Sequence, residues 1–182
     1  MKKERVAIFI DGSNLYYSLK NLKDGRIDFK KLRQLLTKTK MLISTFYYNA
    51  PLKENFNKYV YWNQMKLFSR LRKIPRCKVV LCKRQKRVDR DEKEYYVIKG
   101  DDIHLSLDML RDACKDKYDK AILISGDGDF TQLVNYVRKE DKEVNVYAFK
   151  KLTSVDLINK ANKHFWIDKK MVNKMFLRRK GN

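Results

Sequence analysis

Ile122-Leu123-Ile124-Ser125-Gly126-Asp127-Gly128-Asp129-Phe130 is the stretch that decides the fold. A short apolar run closed at once by a turn reads as a buried strand. It ends in two carboxylates, Asp127 and Asp129, each preceded by a glycine. Gly126 and Gly128 are expected to let the backbone turn sharply and to keep bulk away from whatever the acids bind. The same design opens the chain, where Val6-Ala7-Ile8-Phe9-Ile10 runs into Asp11-Gly12-Ser13-Asn14. Two strands that deliver acids from their carboxyl ends point to one shared site, because open α/β sheets bind ligands beyond those ends.

Working outward, the elements alternate. Residues 13–23 read as a helix with Leu15, Leu19 and Leu22 on one face. Asp28 reads as the N-cap of a second helix that turns Leu32, Leu35 and Leu36 inward. Residues 43–49, β-branched and aromatic, form a strand closed by Ala50-Pro51. Residues 57–74 form an amphipathic helix carrying Val60, Tyr61, Met65, Phe68 and Leu71, and Pro75 stops it. Residues 78–83 and 95–99 flank the polar stretch 84–94 and read as a strand and a hairpin-like return. A helix over 101–114 repeats Ile103, Leu107, Leu110 and Cys114 on its apolar side. Strand 120–125, helix 130–140, strand 144–149, helix 155–161 and a last strand at 165–167 complete the series. This order predicts a three-layer α/β/α sandwich around a mainly parallel sheet. The 182 residues suffice for one domain over 1–170. A basic tail over 171–182, with Arg178-Arg179-Lys180, is expected to fray.

Composition bounds the function. An apolar fraction of 43% excludes a disordered chain. Forty-three Lys and Arg against 22 Asp and Glu give a formal net charge of +21, which favours polyanionic partners through counterion release. Cys77, Cys82 and Cys114 make no disulfide framework, and no signal peptide is readable, so a reducing cytoplasm is the expected home. The first apolar run is cut at Asp11, far short of the roughly 20 residues that span a bilayer, so no membrane association is expected.

Three segments supply acids. Asp11 leaves the first strand, Asp127 and Asp129 leave the strand at 120–125, and Asp101 and Asp102 open the helix at 101–114. Acids at a helix start have a second reading, as partners of free N–H groups and of the helix dipole. Carboxylates converging on one sheet edge repel one another unless a cation neutralises them. An oxygen-only set with no His/Cys cluster favours Mg²⁺ or Mn²⁺ over zinc. A covalent phospho-aspartate route of the haloacid-dehalogenase type needs a second acid where Ser13 stands, and an adhesion-type Asp-x-Ser-x-Ser site is broken by Leu15. No Walker loop and no dinucleotide fingerprint occurs.

At this point the chain resembles the NYN family of PIN-like ribonuclease domains. The segments that carry the likeness are Ile8-Phe9-Ile10-Asp11-Gly12-Ser13-Asn14-Leu15, Lys99-Gly100-Asp101-Asp102-Ile103-His104-Leu105-Ser106-Leu107-Asp108-Met109-Leu110 and Ile124-Ser125-Gly126-Asp127-Gly128-Asp129-Phe130. The resemblance implies a PIN-like sandwich and a metal-dependent nuclease acting on RNA. It implies that Asp11, Asp102, Asp127 and Asp129 bind the metal, with Asp108 a further acid of the set. Asn14 is implied as a support for the first acid or for a substrate phosphate, and Ser125 matches the small hydroxyl residue before the last acidic loop, on the nucleic-acid side. Asp101 stands where the family more usually has a small or apolar residue, so either Asp101 or Asp102 can face the metal.

Binding is expected from the cations Lys83, Arg84, Lys86, Arg87, Arg90 and Lys99 around the predicted hairpin, with a solvated hairpin as the alternative. Exposed members of the pairs Tyr16/Tyr17, Tyr47/Tyr48 and Tyr95/Tyr96 would stack on unpaired bases, which favours single-stranded RNA. DNA cleavage is not excluded, and a non-catalytic RNA-binding module is the main rival reading. A homodimer is compatible with the sequence.

Overall fold

In the computed structural model, residues 3–20, 27–55 and 57–175 are described. Leu22 and the cations of the expected tail, Arg178 to Lys180, lie outside them. The elements run β1 (Arg5–Asp11), α1 (Gly12–Lys20), α2 (Phe29–Thr37), β2 (Met41–Asn49), α3 (Lys58–Arg72), β3 (Cys77–Leu81), β4 (Lys83–Val88), β5 (Glu94–Lys99), α4 (Asp101–Cys114), β6 (Lys120–Ile124), α5 (Thr131–Lys139), β7 (Glu143–Ala148), α6 (Val155–Lys160), β8 (Lys163–Trp166) and α7 (Lys169–Met175).

Six strands form one parallel sheet in the order β3-β2-β1-β6-β7-β8. β1 and β6 are buried along almost their whole length, which is why both read as unbroken apolar runs rather than as alternating ones. Alternate residues of β1 feed two cores. Ala7 and Phe9 pack with Leu105, Met109, Val134, Val137 and Leu157 of α4, α5 and α6. Val6, Ile8 and Ile10 pack on the other face with Leu15, Leu32, Leu36, Phe68, Leu71, Val172 and Met175 of α1, α2, α3 and α7. The chain winds outward from β1 through β2 to β3, then restarts at β6 and winds the other way. The join between β1 and β6 is therefore the topological switch point, where a crevice must open.

Four expectations are corrected. The stretch 78–83 is split, with β3 closing the edge of the main sheet while Lys83 begins β4; the hairpin pairs β4 with β5 in a separate antiparallel sheet. Both faces of that ribbon are largely solvated, so it carries little apolar alternation. On α4 the inward row is Leu105, Met109, Asp112 and Ala113, whereas Ile103 and Leu107 are exposed. The buried Asp112 hides this register, because Arg111 and Lys117 supply its counter-charges at 2.8 and 2.9 Å. Residues 171–175, expected in the tail, belong to α7, which buries Val172 and Met175. Gly126 and Gly128 keep negative φ; the positive-φ glycine among the described residues is Gly100, at the start of α4.

Candidate metal and nucleic-acid site

Asp11 is the last residue of β1, and its backbone passes straight into α1. Its Oδ1 accepts the N–H groups of Ser13 at 3.0 Å and Asn14 at 2.9 Å, as a capping acid does. Its Oδ2 accepts the hydroxyl of Ser125 at 2.9 Å. Ser125 in turn accepts the N–H of Asp127 at 3.1 Å, and Asn14 Oδ1 accepts the N–H of Gly126 at 3.2 Å. The ends of β1 and β6 are thus bonded into one unit. Gly126 is needed for space: a Cβ there would strike the carbonyl oxygen of Leu152 and lie 2.8 Å from Thr153 Oγ1.

From the other side, α4 brings Asp101 and Asp102. Asp101 is buried and accepts the Ser13 hydroxyl at 3.3 Å. Asp102 is half-buried and makes no side-chain hydrogen bond among the described residues. Asp11, Ser13, Asn14, Tyr17, Ile98, Asp101, Asp102 and Asp127 line one open cleft of about 280 Å³. Both members of the Asp101/Asp102 pair therefore reach the cleft, the first braced and the second uncommitted.

Burial pushes the Asp11 carboxyl from its ordinary 3.8 up to about 6, against the pull of its hydrogen bonds from Asn14 and Ser125 and with further repulsion from Asp101 and Asp127. Asp102 rises to about 6 as well, through desolvation first and then repulsion by Asp101, Asp11, Asp127 and Asp129. Five carboxylates therefore share one field. Several acids elsewhere have cationic partners: Glu4 with Lys120, Asp119 with Arg5, Asp116 with Arg5 and Lys142, Asp112 with Arg111 and Lys117. Among the described residues, no ion pair reaches Asp11, Asp101, Asp102, Asp127 or Asp129. In a chain of net charge +21, these converging carboxylates are left without a cationic partner among the described residues.

The donor set suits a hard divalent cation that keeps open positions for water and phosphate. Among the described residues no three His, Cys, Asp or Glu side chains are grouped so that they could hold a metal ion between them, so a cation here would take part of its shell from water and phosphate.

Three expected residues stand elsewhere. Asp108 lies outside the cleft lining, accepting from Tyr48 Oη at 3.1 Å and paired with Arg111 at 2.6 Å; seven residues beyond Asp101, it sits two helical turns along α4. Asp129 is exposed beside the cleft, and its backbone N–H is held by Asp127 Oδ1 at 3.0 Å. Ser125, expected on the nucleic-acid side, is 1% exposed and positions Asp11 instead. Sequence reasoning also missed Ser13 as the residue that ties α1 to α4, and Ile98 as a wall of the cleft. The signal for Ile98 was its place two residues before the Gly100 that starts α4.

The hairpin enters the cleft through Ile98. Arg84 pairs with Ile98 and Lys86 with Tyr96, so strand alternation puts these four on one face. Lys83, Arg87 and Lys99 lie on the other face, and Arg90 sits in the turn between the strands. Among these cations, Lys86 is engaged with Glu94.

Comparison with known proteins gives a family and a fold. The NYN domain family matches residues 5–168. The fold is similar to the crystal structure of a protein of unknown function from Vibrio parahaemolyticus, with a TM-score of 0.75 and 28% identity over 97% of this chain and 100% of that one. No match is found among curated proteins. Among the described residues no helix is long and apolar enough to cross a membrane.

Proposed function

The chain belongs to the NYN domain family, and from that premise we propose that it is a metal-dependent ribonuclease acting on single-stranded RNA. The observation that carries this reading is the cleft itself: Asp11, Asp101, Asp102 and Asp127 converge at the switch point without ion-pair partners among the described residues, beside a cationic hairpin.

Asp11, Asp102 and Asp127 would hold Mg²⁺ or Mn²⁺, which when bound supplies charge neutralisation at the phosphate and an acidified water. The chain's own groups do the rest. Hydrogen bonds from Ser13, Asn14 and Ser125 fix both oxygens of Asp11, so this carboxylate is preorganised. Asp102, with no hydrogen bond of its own, accepts one from the attacking water and orients it in line with the leaving oxygen. The water oxygen forms the new P–O bond as the bond to the leaving ribose oxygen breaks; the water proton passes to a carboxylate and then to solvent, and the leaving oxygen keeps the bonding pair and takes a proton from solvent. Arg84 and Lys86 hold flanking phosphates on the face that Ile98 shares with the cleft. Tyr17, which also lines the cleft and is 59% exposed, offers a ring to an unpaired base.

The test is to incubate the protein with end-labelled single-stranded RNA, duplex RNA and single-stranded DNA in Mg²⁺, Mn²⁺ or EDTA. Metal-dependent cutting of single-stranded RNA is the expected result. Preferential cutting of DNA, or tight binding without cutting, would overturn it.

A further inference from the structure

The charge of the chain is not spread evenly. Between Glu54 and Asp89 there are eleven Lys and Arg and no Asp or Glu. This segment builds α3, the edge strand β3 and all of β4. Among the described residues, Lys86–Glu94 is the ion pair that touches it. Arg70 and Arg76 donate to the backbone carbonyls of Lys66 and Leu42, and Lys78 lies over the Phe46 ring, so among the described residues the remaining charge of this edge meets no carboxylate.

α3 arranges part of that charge into a stripe. At about 100° per residue, Lys58, Tyr59, Trp62, Lys66, Ser69 and Arg70 fall within about 120° of the helix circumference. The opposite side buries Phe68 and Leu71 in the core. Tyr59 is 74% exposed and Trp62 is 52% exposed. Large aromatic rings in water are costly unless something covers them, and these have cations on the next turns of the same face. Trp62 is held by the Tyr61 ring, edge to face at 5.3 Å, so its indole is pre-set rather than free to collapse.

The segment between β2 and α3 links this helix to the hairpin beside the acidic cleft. Gln64 fastens α3 to the end of β2, accepting from the N–H of Leu52 at 2.7 Å and donating to the carbonyl of Ala50 at 3.1 Å. From the same loop, Lys53 Nζ lies over the Tyr96 ring at 5.1 Å, and Tyr96 is two residues from the cleft-lining Ile98 on the same face of β5. α3 then runs away from the cleft for 15 residues, about 22 Å.

We infer that the outer face of α3 is a second binding surface for single-stranded nucleic acid, on which bases stack at Tyr59 and Trp62 and phosphates run along Lys66 and Arg70. Rings followed by cations are the arrangement that grips unpaired strands without reading their sequence. The surface extends the proposed nuclease site and rests on the nucleic-acid reading of that site. It makes the chain a binder of long strands, gripping them well beyond the few nucleotides that the cleft accommodates.

Fluorescence anisotropy in EDTA, where cleavage does not occur, tests this with labelled oligouridylates of about 20 and about 6 nucleotides. The wild-type protein binds the longer strand more tightly and quenches Trp62 emission, read as the quenching that disappears in Trp62→Phe. Tyr59→Ala with Trp62→Ala lowers affinity for the longer strand by roughly 10-fold or more. Lys66→Ala with Arg70→Ala makes its log–log salt slope shallower by about 1.4. All four side chains are exposed, and circular dichroism confirms the fold of each variant. Wild-type affinity and slope in both double variants would overturn the inference. So would equal, variant-sensitive binding to duplex RNA or to phosphatidylserine vesicles, which would point to an unspecific polyanion surface. A protein that binds the long strand through α3 but never cuts would refute the nuclease reading alone, whereas cutting by a protein whose α3 variants bind normally would refute this inference alone.

Discussion

Ser125 donates its hydroxyl to Asp11 Oδ2 at 2.9 Å, across 114 residues of sequence. It joins the ends of the two central strands and leaves neither oxygen of the buried carboxylate unpartnered. That bond lowers the proton affinity of an acid which burial drives upward. Ser125→Ala removes the donor, so the Asp11 carboxyl rises further above about 6. The acid limb of the pH–rate profile then moves to higher pH, and the fold loses about 1–2 kcal/mol. Ser125→Thr, which keeps a hydroxyl, moves the limb less. An unmoved acid limb in Ser125→Ala would show that this bond does not set the protonation of the site.

The acidic cleft costs stability. The folded-state pKa of Asp11, about 6, lies above its ordinary 3.8, so between those values the folded chain binds more protons than the unfolded one. Stability therefore falls as pH rises through that window, and the full penalty is present above it. Asp11→Asn removes the charge and retains the acceptor for Ser13 and Asn14. In EDTA at pH 8 it should raise stability by up to about 3 kcal/mol, with the gain shrinking toward pH 4. Thermal melts at the two pH values check the sign, and equal destabilisation at both would contradict it.

Gly126 meets the 152–153 segment too closely for any side chain. A Cβ would strike the Leu152 carbonyl and lie 3.1 Å from Thr153 Cα. Gly126→Ala should cost about 1–3 kcal/mol in urea denaturation and displace Asp127. Gly128→Ala would meet the Ser154 hydroxyl at 3.0 Å and its Cβ at 3.1 Å, side-chain contacts looser than the backbone clash at Gly126, and should cost less. A larger cost at Gly128 than at Gly126 would mean that the loop is packed differently.

On the hairpin, neutralising Arg84 and Lys86 together should reduce the salt slope of single-stranded RNA binding by about 1.4, at roughly 0.7 per phosphate contact. Anisotropy titrations between low and moderate salt provide the readout. An unchanged slope would place the strand elsewhere.

Legibility followed burial. β1 and β6 are enclosed on both faces, so their residues are uniformly apolar and their terminal acids stand out; the parallel sheet and the pairing of Asp11 with the 125–129 loop follow from that contrast. The register of α4 was illegible because a charged residue, Asp112, takes an inward position while Ile103 and Leu107 face water. That inversion also carries Asp108 to Tyr48 and Arg111 rather than to the cleft. β4 and β5 meet no core, so pairing rather than patterning defines them. The reason for Gly126 was out of reach, because the group it must avoid, Leu152, lies 26 positions along the chain.

The most direct measurement is the rate at which wild-type protein, Asp11→Asn and Asp102→Asn cut end-labelled single-stranded RNA in Mn²⁺, with melts confirming that all three are folded. The account predicts that wild-type cutting stops in EDTA and that each substitution slows it at least about 100-fold. Cutting at the wild-type rate by either variant would contradict the assignment of the cleft as the catalytic centre.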